Sequence, residues 1–561
     1  MPNVPSTPVD SNAQISGSQS VSVSRTSARP SRNKHNQQAG QQGGQQGAQK
    51  GGRRGERGSA RDRRKAHRAA SAVKAPAYIT RKIPVYEILS DENIEKIEKA
   101  AERILINVGV DFRGGDNITL DLWAKAGAQV NGENVKFPPG LLQELLKTAP
   151  SQFTQYARNA NRNVEIGGDN VVFAPAYGSP FVMDLDEGRR YGTIKDFENF
   201  VKLAYASPWI HHSGGTVCEP TDVPVNKRHL DMVYAHLKYS DKAFLGSITA
   251  PERAQDSIDM ARIVFGSEFV DAHCVIMGNV NVNSPLVWDA TATEPIRTYA
   301  QANQGSVIVP FILGGAMGPI TMPGAIAQAH AETLVGCALT QLVRPGAPVI
   351  YGNFLSSMSL KSGSPTFGTP EPAVGSLVVG QLARRAGLPL RCSGAFTTSK
   401  LPDAQSMMES VTSMQANVQC GANFVLHAAG FLDGLLSMSY EKFIMDADYC
   451  GALHAYLAGM EINENTLASS AFDEVGPGEH FLGCAHTMAN YETAFWETQI
   501  SDNDTWEQWS DNGSLDTATR ANKRWKNVLN EYVAPPLDEA KDEELCAFIS
   551  IKKASMKDAW Y

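Results

Sequence analysis

Pro348–Gly430 reads PVIYGNFLSSMSLKSGSPTFGTPEPAVGSLVVGQLARRAGLPLRCSGAFTTSKLPDAQSMMESVTSMQANVQCGANFVLHAAG. It holds three short apolar runs, Val349–Tyr351, Leu388–Arg391 and Phe424–Leu426. Each passes at once into glycine with polar or aromatic residues: Tyr351-Gly352-Asn353-Phe354, Ser393-Gly394-Ala395-Phe396 and His427-Ala428-Ala429-Gly430. Between the runs lie two stretches of helical pattern, Glu371–Ala386 and Asp403–Cys420. Short apolar runs joined by helices are the pattern of buried parallel strands with helical crossovers. In such folds the loops that leave the strands carry the chemistry.

Working outward, the same unit recurs. Apolar runs fall at Val171–Ala174, Trp209–His211, Phe244–Ile248, Cys274–Met277 and Val307–Leu313, ahead of the three already named. Helical patterns fill the gaps at Ile194–Ala206, Asn226–Tyr239, Ala250–Val264, Ala290–Gln304 and Pro323–Leu342, and Tyr440–Met460 follows the last run. Eight strands alternating with helices predict an α/β fold of the (β/α)8 TIM barrel type over 166–465. The competing open doubly wound sheet wants a GxGxxG after its first strand, and none is there. Asp184–Gly188 reads as a turn between two short strands.

The flanks differ from this body. Residues 1–75 hold 14 Lys and Arg against 3 Asp and Glu, a net of +11, so the rest carries −19 of the overall −8. This Gln/Gly/Arg-rich tail has almost no large apolar residues, which predicts disorder. Its run Arg53–Arg68 is expected to touch polyanions weakly, without aromatics to stack on bases. Residues 76–165 read as an N-terminal α+β cap, with a helix opening at Ser90-Asp91-Glu92, a strand at Val108–Phe112 and a helix at Pro138–Thr148. Residues 466–561 read as a C-terminal helical extension.

The eight cysteines are scattered and form no CxxC. In a chain of this size that points to reduced thiols in the cytoplasm. The N-terminus has no apolar core of a secretory signal, and the longest apolar zone, Ile320–Val349, is broken by Gln328, His330, Glu332, Gln341 and Arg344. A soluble, cytoplasmic protein is expected, with no membrane partner. No protein-bound metal is expected either. His211 and His212 are adjacent and would face opposite ways on a strand, and there is no HxH, HExxH or Cys/His cluster. A Ser-His-Asp hydrolase lacks its GxSxG.

In a barrel the residues after each strand line one mouth. Here they are glycine, neutral Asn, Ser and His, and interleaved aromatics including Tyr177, Phe181 and Phe431. Aromatic walls with neutral polar groups suit a poorly hydrated cation, since each good ring contact is worth about 0.5–2 kcal/mol. The same rings equally fit an ordinary apolar rim. Within this reading Tyr351, Phe354 and Phe396 are the candidate walls, and His427 and Asn353 the candidate polar contacts. Arg391 or Lys400 would hold a carboxylate at the far end of the substrate. Asp403 and Glu409 read as charges at a helix N-terminus.

Several longer pieces carry a resemblance. They are FAPAYGSPFVMDLDEGRRYGT at Phe173–Thr193, TFGTPEPA at Thr366–Ala373, GQLARRAGLPLR at Gly380–Arg391, KLPDAQ at Lys400–Gln405, GANFVLHAAGFLDGLLSMSYEKFIMD at Gly421–Asp446 and GPGEHFLGCAHT at Gly476–Thr487. Together they resemble the trimethylamine:corrinoid methyltransferase superfamily over about residues 60 to 520. The resemblance implies a TIM-barrel enzyme that takes a methyl group from a methylated amine and gives it to the Co(I) centre of a corrinoid (cobalamin) carried by a separate partner protein. It implies a cognate corrinoid protein as partner, and a homo-oligomer is expected. Trimethylamine-specific members carry pyrrolysine in the barrel, near the loop Ser393–Asp403, and this chain has only standard residues. That departure points to the non-pyrrolysine branch and to a quaternary amine such as glycine betaine. Proline betaine, carnitine, dimethylsulfoniopropionate and trimethylamine stay open as donors, and so does a non-catalytic amine-binding protein.

Overall fold

The computed structural model describes residues 76–560. The basic tail, 1–75, lies outside the described residues, and with it the expectations of disorder and polyanion contact. Seven strands form a parallel sheet: β1 (Asn170–Phe173), β2 (Phe244–Leu245), β3 (Ile276–Val282), β4 (Gly305–Gly314), β5 (Val349–Gly352), β7 (Leu390–Cys392) and β8 (Phe424–Val425). Their spatial order is β1-β8-β7-β5-β4-β3-β2. After a one-residue break at Asn353, β6 (Phe354–Met358) continues beside β4, with Phe354 opposite Phe311. The crossovers are α1 (Ile194–Ala206), α2 (Arg228–Tyr239), α3 (Pro251–Phe265), α4 (Ala290–Gln301), α5 (Met322–Val343), α6 (Pro370–Arg385) and α7 (Ala404–Gln419), and α8 (Tyr440–Leu457) follows β8. Each lies within a few residues of the range that its periodicity predicts.

The strand expected at Trp209–His211 does not form. The N–H groups of both His211 and His212 donate to the carbonyl of Phe173, at 3.0 and 3.2 Å. A ladder needs alternating bonds, and two consecutive donors on one acceptor break it. The segment still bonds to both edge strands. Ser213 N donates to Ala243 O at 2.8 Å, and Leu245 N to Gly214 O at 2.7 Å.

Residues aligned across neighbouring strands share a face of the sheet. One such row is Val172, Phe424, Arg391 and Gly352, and it faces the interior. His212 joins this side, with its ring edge-on to Phe424 at 5.2 Å. The next row, Ile308, Tyr351 and Leu390, faces the helices. His211 also faces the helices, stacked on Phe173 and 3.0 Å from His454 of α8. The opposite pointing of the histidine pair thus holds, although no strand carries it.

The flanking elements close the layers. α5 is buried along almost its whole length, because the sheet covers one side and the helices Asp91–Asn107 and Leu141–Leu146 cover the other. This explains its uniformly apolar sequence. The cap is joined to the sheet region by Val287–Asp289, which pairs in parallel with Val110–Arg113. Ser90 stands at the N-cap of its helix but makes no side-chain bond there. The hairpin Gln152–Gln155 and Val164–Gly167 sits at the N-terminal end of the strands, where Gln155 Nε2 bonds Phe244 O and Val275 O. The C-terminal helix Thr517–Asn530 lies on α8, with Trp525 stacked on Tyr440 at 4.5 Å. Among the described residues no helix is long and apolar enough to cross a membrane.

Candidate functional site

An aromatic cluster stands at the C-terminal end of β4–β8. Phe354 contacts Phe311 at 4.8 Å and Phe396 at 4.7 Å between ring centroids. Phe396 contacts Phe431 at 4.7 Å, and Phe367 closes over Phe396 at 5.2 Å and Phe431 at 5.4 Å. The His427 ring lies 5.5–5.7 Å from those of Phe354, Phe396 and Phe431. Alternation brings these groups together. Phe354 faces inward because Gly352 does, and Phe311 is its register partner on β4.

Arg391 lies beneath the cluster. Its guanidinium carbon is 5.4 Å from the Phe354 ring centre, and its side chain is fully buried. Nη1 donates to Asn353 O at 2.6 Å, while Nε has no hydrogen-bond partner among the described residues. No carboxylate of the described residues lies within 4 Å of it. Burial pulls its pKa down to about 9, opposed by the neighbouring Cys392, so the group keeps its charge at neutral pH. A buried cation without an anion is costly, unless a ligand supplies the missing charge.

His427 is held as a neutral hydrogen-bonding group. Its Nδ1 accepts from Tyr177 N–H at 3.1 Å, which assigns the ring proton to Nε2. Burial, and then the charge of Arg391, keeps its pKa well below the usual imidazole value. Its backbone is left-handed, at φ 69°, a conformation that costs energy outside glycine and clusters at functional sites. Gly394 crosses directly over this backbone, where a Cβ would come 2.1 Å from the His427 carbonyl. Only glycine fits there.

The loops are fixed from behind. Glu409, expected to be a helix-end charge, instead accepts from Thr397 Oγ1 at 2.6 Å and Thr398 N at 2.7 Å, and so pins the loop after Phe396. Asp403 does cap α7, accepting from Ser406 N at 2.9 Å. The buried pair Lys442–Asp446 on α8 holds the next loop, with Asp446 accepting from Gly430 N at 3.0 Å. Asn281 is exposed, although alternation sets it on the inner face between buried Val280 and Val282.

Four of the seven candidate residues therefore meet here: Phe354, Phe396, His427 and Arg391. Three do not. Tyr351 faces the helix layer, and its hydroxyl bonds His330 of α5 at 2.9 Å. The Asn353 side chain also points outward, to Ser376 Oγ at 3.3 Å, and only its carbonyl serves the site through Arg391. Lys400 is exposed, bonded to Thr398 O at 2.7 Å and 3.9 Å from Asp433. Strand-end position alone could not separate Tyr351 and Asn353 from Phe354. The register can, since odd and even positions face opposite ways. Phe311 and Phe367 were missed. Phe311 lies inside an apolar run, and the lid position of Phe367 depends on the antiparallel pairing of Pro365–Thr366 with β6. Among the described residues no group of three or more His, Cys, Asp or Glu is placed to hold a metal ion.

A model of the family described as trimethylamine methyltransferase matches residues 53–557. The glycine betaine methyltransferase of Desulfitobacterium hafniense is 40% identical over 469 residues, 83% of this chain and 97% of its own. The proline betaine:corrinoid methyltransferase of Eubacterium limosum is 28% identical, covering 73% of this chain and 86% of its own. A trimethylamine methyltransferase of Methanosarcina mazei is 25% identical, covering 80% and 92%. With nearly its whole described length matched, this chain belongs to the trimethylamine methyltransferase family.

Proposed function

We propose that the protein moves a methyl group from a quaternary amine carrying a carboxylate, glycine betaine first among them, to the corrinoid of a partner protein. The observation that carries this reading is Arg391: a buried, charged guanidinium without a carboxylate partner among the described residues, under a cluster of five phenylalanine rings. A betaine supplies both missing halves, a carboxylate for Arg391 and an onium group for the rings. The 40% identity to a glycine betaine methyltransferase, against 28% to a proline betaine enzyme, supports the choice of donor. So does the chemistry of the loop Ser393–Asp403, which holds only standard residues. A quaternary nitrogen leaves as a neutral amine once its methyl departs, so no activating residue is needed.

The corrinoid would supply the nucleophile. This chain binds the substrate, turns one methyl toward the open end of the sheet and strips water from the ammonium. We also infer that the segment 211–214 stands in for the eighth strand of a closed barrel, a reading supported by its bonds to both β1 and β2.

The test is demethylation of glycine betaine with cob(I)alamin as acceptor, followed by the visible spectrum and by dimethylglycine formed. Trimethylamine and tetramethylammonium are run alongside. Turnover with glycine betaine and little with the other two is expected. Equal turnover of tetramethylammonium would remove Arg391 from the reading, and turnover of trimethylamine alone would overturn it.

A further inference from the structure

β3 carries an amide at every second position: Asn279, Asn281 and, one residue past its end, Asn283. Alternate residues of a strand face the same way, and Gly278 shows which way. A Cβ on Gly278 would meet the Tyr299 ring of α4 at 2.8 Å. Gly278 therefore faces the helices, and Asn279 and Asn281 face the interior. The Asn283 amide is already engaged, since its Nδ2 bonds Asp289. Asn279 is different. It is 3% exposed, its Oδ1 is buried without a hydrogen-bond partner, and its Nδ2 bonds nothing among the described residues. Its register partner on β4 is Val307, which has no side-chain hydrogen bond to give.

Of the strand residues of the sheet, three keep a buried polar side-chain atom without a partner among the described residues: Asn279, Ser306 and Arg391. Ser306 pairs with Gly278 in the register and shares its outward face. The interior thus holds two such groups, Asn279 and Arg391. Unpaired buried polar groups cost stability and are few in native proteins. Two of them around one interior point to a ligand that touches both.

The fold sets them against each other. β3 and β7 are separated by β4 and β5, in a sheet whose two edges are bridged by the segment 211–214, so their inner faces look across the interior. The register row of Arg391 runs through Gly352, which abuts Val309, to Asn281. That row is sealed at Arg391 and exposed at Asn281, as tilted strands make a row climb toward the rim. The inward residues of β3 level with Arg391 are therefore the deeper ones, Met277 and Asn279. Of these only Asn279 carries N–H donors. The rings stand further out, because Phe311 is four residues beyond Val307 on β4.

The two groups choose the ligand chemistry. Arg391 offers donors only, and a carboxylate accepts from several donors at once. A trimethylammonium group has neither an N–H nor a lone pair. The carboxylate is then the one part of a betaine that the Asn279 amide can bond, with Nδ2 as donor. We propose that Asn279 is the second holder of the substrate carboxylate, so that Arg391 and Asn279 grip it from two walls below the rings. This rests on the betaine reading given above.

Calorimetric titration of the full chain, with no corrinoid present, tests the contact apart from turnover. The titrants are glycine betaine and tetramethylammonium, which lacks a carboxylate. Asn279→Leu, of similar volume, should raise the Kd of glycine betaine ~10–100-fold, as for a lost hydrogen bond to a charged group, and leave that of tetramethylammonium within about twofold. Asn279→Asp should weaken glycine betaine further, since its own carboxylate competes for Arg391, while tetramethylammonium binds at least as well. Melting temperatures separate binding from structure. An amide that bonds nothing in the free protein is not missed by the fold, so Asn279→Leu should keep or raise Tm. A lowered Tm, an unchanged Kd for glycine betaine, or equal losses on both titrants would each overturn the proposal. A wild type that binds tetramethylammonium but not glycine betaine would sink the betaine reading and this proposal with it. Weakened glycine betaine binding in Arg391→Leu but not in Asn279→Leu would remove the second holder alone.

Discussion

Lys242 and Arg391 are both cations sealed from water, and the protein treats them in opposite ways. The Lys242 ammonium has three donors and three acceptors, the carbonyls of Ala204, Ser207 and Ile210 at 2.7, 2.9 and 2.5 Å. Ala204 is in the last turn of α1, where the helix dipole favours a positive charge. The other two carbonyls lie in the chain that runs from α1 to His211. Lys242 thus ties a helix end to the irregular segment beside β1, and its valences are filled. Arg391 has five donors and, among the described residues, bonds only Asn353 O. A satisfied buried cation is structure, while one left short of acceptors under aromatic rings is a binding group waiting for its anion.

The sharpest way to break this contrast is at Arg391. Arg391→Leu removes the charge at similar bulk. It should lower kcat/KM for glycine betaine by about 10²–10⁴-fold, the cost of stranding a buried carboxylate, about 3–5 kcal/mol. Any slow turnover of tetramethylammonium should be unchanged, since that ion has no carboxylate to strand. Steady-state kinetics on both donors check it. Equal losses on both would make Arg391 a structural group like Lys242.

Arg391 shows how far the sequence could be read. It was legible as one of two carboxylate candidates because it ends an apolar run, and such runs with helices between them predicted the sheet and its crossovers. The choice between Arg391 and Lys400 was not legible. It depends on the Thr397–Ser399 loop, which Glu409 folds back so that Lys400 points to solvent. Tyr351 failed for a different reason. A run of apolar residues buried on both faces hides its own alternation, so a single strand does not say which of Tyr351 and Gly352 looks inward. The strand expected at Trp209–His211 failed because its hydrogen bonds depend on neighbours far along the chain. Lys242, whose carbonyl partners lie more than 30 residues before it, carried no local signal at all.

Lys242→Met tests the other half of the comparison. Its removal leaves three buried carbonyls without a donor, and a destabilisation of about 2–3 kcal/mol is expected. Denaturant unfolding measures it. In the fraction that remains folded, KM for betaine should match wild type, because nothing at Lys242 faces the substrate. A raised KM with unchanged stability would reverse the roles assigned to the two cations.

The smallest expected effect links Arg391 to its neighbour. His427 is held below the ordinary imidazole pKa by burial first and by the Arg391 charge second. The unfolded chain therefore binds more protons than the folded one as pH falls through 6.5. The stability from a neutral His427 is complete above that value and is lost below it, with a ceiling of about 1.4 kcal/mol per pH unit for any single group. Asp446, pushed up to about 6 by burial, opposes this, since its folded form holds a proton that the unfolded form has released. Arg391→Leu removes only the second cause, so the pKa of His427 should rise yet stay below 6.5. Deuterium exchange at the His427 ring carbon, followed against pH by mass spectrometry, reads the change. If the substitution leaves His427 where it was, the two groups do not share a site, and the contrast between a filled cation and a waiting one loses its functional meaning.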